Sequence, residues 1–197
     1  MDLSLYRETE LEQWVYHQYH QHGFRQPSDL DIDCIAAALG IDIVYYDGSP
    51  FSCNVSGVVF LNRHLDEIET RDVFFHELCH VLRHVGDQRI MPRLFEQLQE
   101  MESGWFQRYA AMPFYMIEQL GIPPTQREAV DMLAYEFKVS HQLAKDRLNQ
   151  IERRLFESQL WEENRKMIQP QKEEQKEWSL ETLRILNQLN KQVGAKA

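Results

Sequence analysis

The alternation of apolar and polar positions predicts a short strand-bearing stretch early in the chain and helices elsewhere. Residues 5–20, rich in Tyr, Gln and His, read as a helix. Ile32, Ile35, Ala36 and Leu39 fall at helical spacing over 28–39, with Ser28 or Asp29 as the N-cap and Gly40 as the stop. Ile41–Tyr46 is β-branched and aromatic, hence a strand. Asp47-Gly48-Ser49-Pro50 is turn chemistry, and Val58–Leu61 is a second short strand. The next helix starts with Thr70 as its cap and ends at Gly86. Another runs from Pro92 to Ala111 and is interrupted at Met112-Pro113. Past the break at Gly121-Ile122-Pro123-Pro124, Ala129, Leu133 and Phe137, then Leu143, Leu148 and Ile151, carry helical periodicity to about Ile168. Pro170 breaks the pattern, and Trp178, Leu183, Leu186 and Leu189 mark a last amphipathic helix. The class is α+β, with the strands early and the remainder helical.

The chain has 197 residues, enough to bury about 70% of its unfolded surface without a metal or disulfide to hold a core together. Three cysteines, widely spaced and with no CxxC, point to a reducing compartment, the cytoplasm, and away from a disulfide framework or an all-cysteine zinc site. No apolar run reaches the ~18 residues of a membrane span, and the N-terminus lacks the pattern of a secretory signal. The net charge of -10 excludes a nucleic-acid binder driven by bulk electrostatics. The charge is also uneven: 19 acidic and 8 basic residues lie before position 126, against 12 and 13 after it, and no lysine precedes Lys138. This shift predicts a first domain over 1–125 and a helical extension over 126–197. The acidity of the first part favours a basic partner surface.

One motif changes the picture. His76-Glu77-Leu78-Cys79-His80 is HExxH, and it falls inside a predicted helix. At about 100° per residue, His76 and His80 lie about 40° apart on successive turns, so both rings can reach one metal ion from one face. Glu77 stands beside them, placed to take a proton from water. Phe74, Leu78, Val81, Leu82 and Val85 form the opposite, apolar face. A hydrolytic zinc site commonly has three protein ligands and a water. His84 is two turns from His76, about 12 Å along the axis, too far to share a tetrahedral ion with it, and is expected to serve a nearby carboxylate or backbone group. The metzincin continuation with a further histidine is absent. On the following helix Glu96, Glu100 and Glu102 are all available, and spacing alone selects none of them.

The stretch Phe74–His84 resembles the HExxH helix of the ImmA/IrrE metallo-endopeptidase family, including its further histidine, and Val58–Asn62 is similar to the family's strand ending in Asn. Aligning Met112-Pro113 with the family's Met-Pro places Phe106 on its Phe and Glu100 on its glutamate, so the resemblance implies Glu100 as third ligand, with Glu102 as the reserve. Ser103-Gly104 stand where Ala-Asn is usual, and Cys79 replaces a Gly; Cys79 flanks His76 and is expected to be a packed thiol. The resemblance covers about residues 25–150 and implies a zincin-like fold, a small sheet over the site helix with a second helix donating the glutamate. It further implies a Zn²⁺ cofactor held by His76, His80 and Glu100, and Glu77 as catalytic base. The implied activity is endopeptidase cleavage of a repressor or regulator protein of a phage or mobile element. His64, Tyr109 and Tyr115 are candidate second donors to the oxyanion, and Val58–Leu61 is a candidate edge strand for an extended substrate.

Residues 129–148 have the outline of a helix-turn-helix, ending one helix near Phe137 and capping the next at Ser140. The second helix carries Lys145 and Arg147 beside Asp146, little base-reading chemistry, so packing on the core is favoured over DNA binding. The competing function is a DNA-binding or partner-sequestering regulator with a structural metal site. Such a site needs ligands but no base, so Glu77 favours hydrolysis.

Overall fold

A computed structural model describes residues 2–86, 91–168 and 179–194. The architecture is α+β, in the order α1 (Glu10–Gln21), a 3₁₀ turn (Pro27–Asp29), α2 (Ile32–Leu39), β1 (Asp42–Tyr46), β2 (Phe51–Cys53), β3 (Val58–Asn62), α3 (Glu67–Arg83), α4 (Arg93–Ala111), α5 (Phe114–Leu120), α6 (Gln126–Phe137), α7 (His141–Ile168) and α8 (Leu180–Gly194). Residues Met1–Gln159 form one compact unit and Leu160–Ala197 another. Position 125, where the charge balance shifts, lies inside the first. Among the described residues no helix is long and apolar enough to cross a membrane.

Helix starts follow local hydrogen bonding more closely than apolar spacing. α1 begins at Glu10, not residue 5, because Thr9 and Glu12 close a capping box: Thr9 N–H donates to Glu12 Oε2 (2.9 Å), and Glu12 N–H donates to Thr9 Oγ1 (3.3 Å). α2 is capped by Asp31, whose Oδ1 accepts from the Cys34 amide (3.0 Å). Asp29 is engaged one turn earlier, accepting from the amides of Arg25 and Gln26. Gly40 stops α2 at φ +69°, where a side chain would be strained. α3 is capped four residues before the expected Thr70, since Asp66 and Glu69 form another capping box. It ends at Arg83 rather than Gly86. Val85 is therefore off the helix and 85% exposed, while Phe74 and Leu78 are fully buried.

The sheet has the order β1-β3-β2, with β1 and β3 parallel and β2 antiparallel to β3. β3 is therefore the central strand, which overturns its expected role as the edge that pairs with substrate. The unforeseen strand β2, three residues long and set in register by Ser52 opposite Val59, occupies one edge. Val59 and Leu61 of β3 are fully buried, in a core that also takes Phe74, Phe75 and Leu78 from α3 and Phe106 and Ala110 from α4. α5, α6 and α7 add to the same core through Ile117, Leu133, Phe137, Leu148 and Ile151.

The α6–α7 turn contains Lys138 at φ +51°, buried Val139, and Ser140, whose Oγ caps α7 by accepting from the Leu143 amide (3.2 Å). The turn is tied to α3 by the Ser140 amide donating to Asp72 (3.3 Å) and by Lys138 Nζ against Glu67 (2.9 Å). Arg147 of α7 is fully buried. It donates to Glu12 Oε1 (2.9 Å), to Gln150 Oε1 (2.8 Å) and to the Met112 carbonyl (3.1 Å). Lys145 is exposed. In the second unit, Ser179 Oγ caps α8 by accepting from the Thr182 amide. Pro170 and Trp178 lie outside the described residues.

Candidate metal centre

His76 and His80 project from successive turns of α3 toward α4, which supplies Glu100. His76 Nε2 lies 3.2 Å from His80 Nε2 and 3.2 Å from Glu100 Oε2, and His80 Nε2 lies 3.5 Å from Glu100 Oε1. These are the distances a tetrahedral ion requires. Bonds of about 2.0–2.1 Å at the tetrahedral angle hold their ligand atoms about 3.3 Å apart. Imidazole and carboxylate are also the donors zinc takes in hydrolytic sites. Among the described residues this is the one group of three such side chains converging on a point. His80 is buried, His76 half-buried and Glu100 open to solvent, so the cluster is anchored at the back and accessible in front.

The other candidate glutamates go elsewhere. Glu96 is exposed and outside the cluster. Glu102 accepts from Arg83 Nε (2.7 Å) and faces His84 Nε2 (3.4 Å). Burial raises the Glu102 carboxyl, but Arg83 and His84 outweigh it and leave the group below the usual carboxylate range. His84 thus has the carboxylate partner expected of it. Burial lowers both His80 and His84 against the opposing pull of Glu100 and Glu102, respectively, which favours neutral imidazoles with lone pairs to offer.

Glu77 sits beside the cluster, and its Oε2 accepts from Ser52 Oγ of edge strand β2 (2.8 Å). Burial raises the Glu77 carboxyl, partly offset by that hydrogen bond and by His76, with Glu100 adding to the rise. A carboxylate desolvated in this way binds a proton more readily, the property a general base needs. Cys79 is fully buried, and burial pushes its thiol up to about 12, so it packs as a thiol rather than offering a thiolate. The proposed second oxyanion donors are occupied away from the cluster. His64 faces Asp47 (2.9 Å), Tyr115 donates to the Phe24 carbonyl (3.0 Å), and Tyr109 accepts from Gln150 (2.5 Å) and Arg154 (2.6 Å).

Two neighbours of the cluster were not foreseen from sequence. Ser52 lies on a strand too short to show periodicity. Ser103 is fully buried, with Oγ 3.2 Å from His80 Nε2. Its only sequence signal was its departure from the family's usual Ala.

A family profile described as Peptidase_M78, IrrE N-terminal-like domain, matches residues 29–149. The chain is also similar to two proteins of Bacillus subtilis (strain 168). It is 30% identical to "Uncharacterized protein YqaB" over 152 residues, covering 76% of this chain and 88% of the relative. It is 32% identical to "Phage-like element PBSX protein XkdA" over 148 residues, covering 74% and 75%.

Proposed function

The chain belongs to the IrrE N-terminal-like peptidase family, and on that premise we propose that it is a zinc-dependent endopeptidase that cleaves a regulator protein. The observation that carries this reading is the convergence of His76, His80 and Glu100 at tetrahedral ligand spacing beside a buried carboxylate, Glu77. In this reading His76 Nε2, His80 Nε2 and the Glu100 carboxylate hold the ion. When bound, zinc supplies a Lewis acid for the scissile carbonyl and makes water acidic enough to deprotonate near pH 7. Glu77 takes the proton from the attacking water and gives it to the leaving amine, while Ser52 fixes Oε2 and so orients the carboxylate. The free edge of β2, the strand whose Ser52 holds Glu77, offers backbone groups to an extended substrate segment in place of β3.

The name of one relative places that protein in a phage-like element. With the family's regulators in view, the proposed substrate is a repressor of a phage or mobile element, acting in the cytoplasm. The test is incubation of the purified protein with the repressor encoded beside its own gene, with and without chelator, and with Glu77→Gln alongside. Cleavage that is lost on chelation and in Glu77→Gln supports the reading. An intact repressor in every lane, with the protein shown to be zinc-loaded, overturns it for that pair and favours a regulator with a structural metal site.

A further inference from the structure

Three histidines follow at four-residue intervals along α3 and its C-cap, yet only His76 and His80 join the cluster. His84 stands behind His80. Its Nδ1 lies 2.9 Å from His80 Nδ1, and its Nε2 lies 3.4 Å from Glu102 Oε2 and 3.9 Å from Cys79 Sγ. The position is fixed from both sides. The His84 carbonyl accepts from Asn54 Nδ2 (2.8 Å), and Glu102 is held by Arg83 Nε (2.7 Å). His84 is 8% exposed. The result is a continuous path from Arg83 through Glu102 and His84 to the back of His80.

Only one proton fits between the two Nδ1 atoms. If His84 donated it, neutral His84 would turn a bare Nε2 lone pair toward the Glu102 carboxylate, and neutral His80 would carry its own proton on Nε2, the atom that faces the cluster. If His80 donates it, His84 carries its proton on Nε2 and gives it to Glu102, and His80 Nε2 presents a lone pair to the cluster. A carboxylate only accepts hydrogen bonds, so Glu102 favours the second arrangement. On the cluster side Glu100 Oε1 lies 3.5 Å from His80 Nε2, but Glu100 Oε2 can accept from His76 Nε2 (3.2 Å) and the Ser103 hydroxyl (3.2 Å) can donate to the bare His80 Nε2, so the second arrangement supplies both carboxylates with a donor. We propose that Glu102, acting through His84, fixes His80 as its Nδ1–H tautomer, and that both are positioning residues for this metal ligand. Ligating histidines commonly donate their second ring N–H to a partner that sets tautomer and orientation. Here that partner is a second histidine rather than the carboxylate itself. The inference rests on the reading of His76, His80 and Glu100 as ligands.

The first test needs no metal. In the full-length protein stripped of zinc, ¹⁵N spectra of labelled histidines at neutral pH should show His80 protonated on Nδ1 and bare on Nε2. The reverse tautomer overturns the proposal. The second test is zinc affinity by competition with a chromophoric chelator. Glu102→Gln, whose amide can donate as well as accept, and His84→Phe, which has no acceptor, should each weaken binding about 10–100-fold. His84→Asn, which keeps an acceptor near His80 Nδ1, should recover most of the loss, separating a lost hydrogen bond from damage to the fold. Wild-type affinity in both Glu102→Gln and His84→Phe, together with loss in His80→Ala, overturns the relay and leaves the ligand reading standing. Wild-type affinity in His80→Ala overturns the ligand reading itself.

Discussion

α4 contributes to two polar clusters of different character, one buried and one open to solvent at Glu100. Near its end, Tyr109 joins Glu12, Arg147, Gln150 and Arg154. Earlier on the same helix, Glu100 and Ser103 join His76 and His80. In the first cluster two guanidiniums face one carboxylate: Arg147 Nη1 lies 2.9 Å from Glu12 Oε1, and Arg154 donates to Glu12 Oε2. Tyr109 lies under the Arg147 guanidinium, 4.9 Å from ring centroid to Cζ. The two guanidiniums compensate the Glu12 carboxylate and tie α1 to α7. In the second cluster, two imidazoles and a carboxylate turn donor atoms toward a common point at ligand spacing. A buried charged group is a site candidate when its neighbours leave a task for something that arrives later, and a structural element when they have already compensated it.

Substitutions at Glu77 and Glu12 should separate the two clusters most sharply. Glu77→Gln should lower peptidase turnover about 10²–10⁴-fold while zinc content and melting temperature stay near wild type; a variant with full turnover would remove the base from the reading. Glu12→Gln should do the opposite. It leaves Arg147 buried without its carboxylate and should cost about 3–5 kcal/mol in urea unfolding, with zinc affinity unchanged; a loss below about 1 kcal/mol would mean the cluster is not what joins α1 to α7. Zinc itself should stabilise the fold by about 2.7 kcal/mol at a hundredfold excess over its Kd. That gain should be absent in His80→Ala and retained in Glu12→Gln.

Acid should distinguish the clusters more gently. Burial raises the Glu12 carboxyl, but Arg147, the Tyr6 hydroxyl, the Thr9 amide and Arg154 outweigh it and hold its folded-state value below the ordinary one. The resulting stabilisation is complete above the unfolded glutamate value, about pH 4.3, and is lost as pH falls through the depressed folded value. Unfolding followed across that window should be flatter in Glu12→Gln; equal slopes would assign the acid sensitivity to other carboxylates. The smallest effect concerns the acidic first part of the chain. Complex formation with a basic repressor should weaken as salt rises, and insensitivity to salt would dismiss charge as what brings the partners together.

Local chemistry was legible in the sequence, and long-range contacts were not. His76, Glu77 and His80 could be read together because helical geometry places neighbours in sequence on neighbouring turns. Glu100 needed the family register, since Glu96, Glu100 and Glu102 look alike until α3 and α4 are packed and Arg83 draws Glu102 aside. The buried role of Arg147 is not legible in the sequence, because its partner, Glu12, lies 135 positions away. Sequence points to Thr70 as the cap of α3, whereas the side-chain bonds of Asp66 and Glu69 set the true start. Ser52 carried no signal, because a three-residue strand has no period and its contact with Glu77 exists only once the sheet lies over α3.

Because β2 is an edge strand, its ladder runs along one side only, against β3. Its amides should exchange with solvent sooner than those of β3, whose neighbours flank it on both sides. Ser52 sits in the middle of this lightly held segment. On the proposed reading, a substrate pairing along β2 adds a second ladder to it and restrains the hydroxyl that steadies Glu77. Capture of the substrate and alignment of the base thereby share one piece of backbone, and a protein that fails to lie along that edge is handled by a looser base.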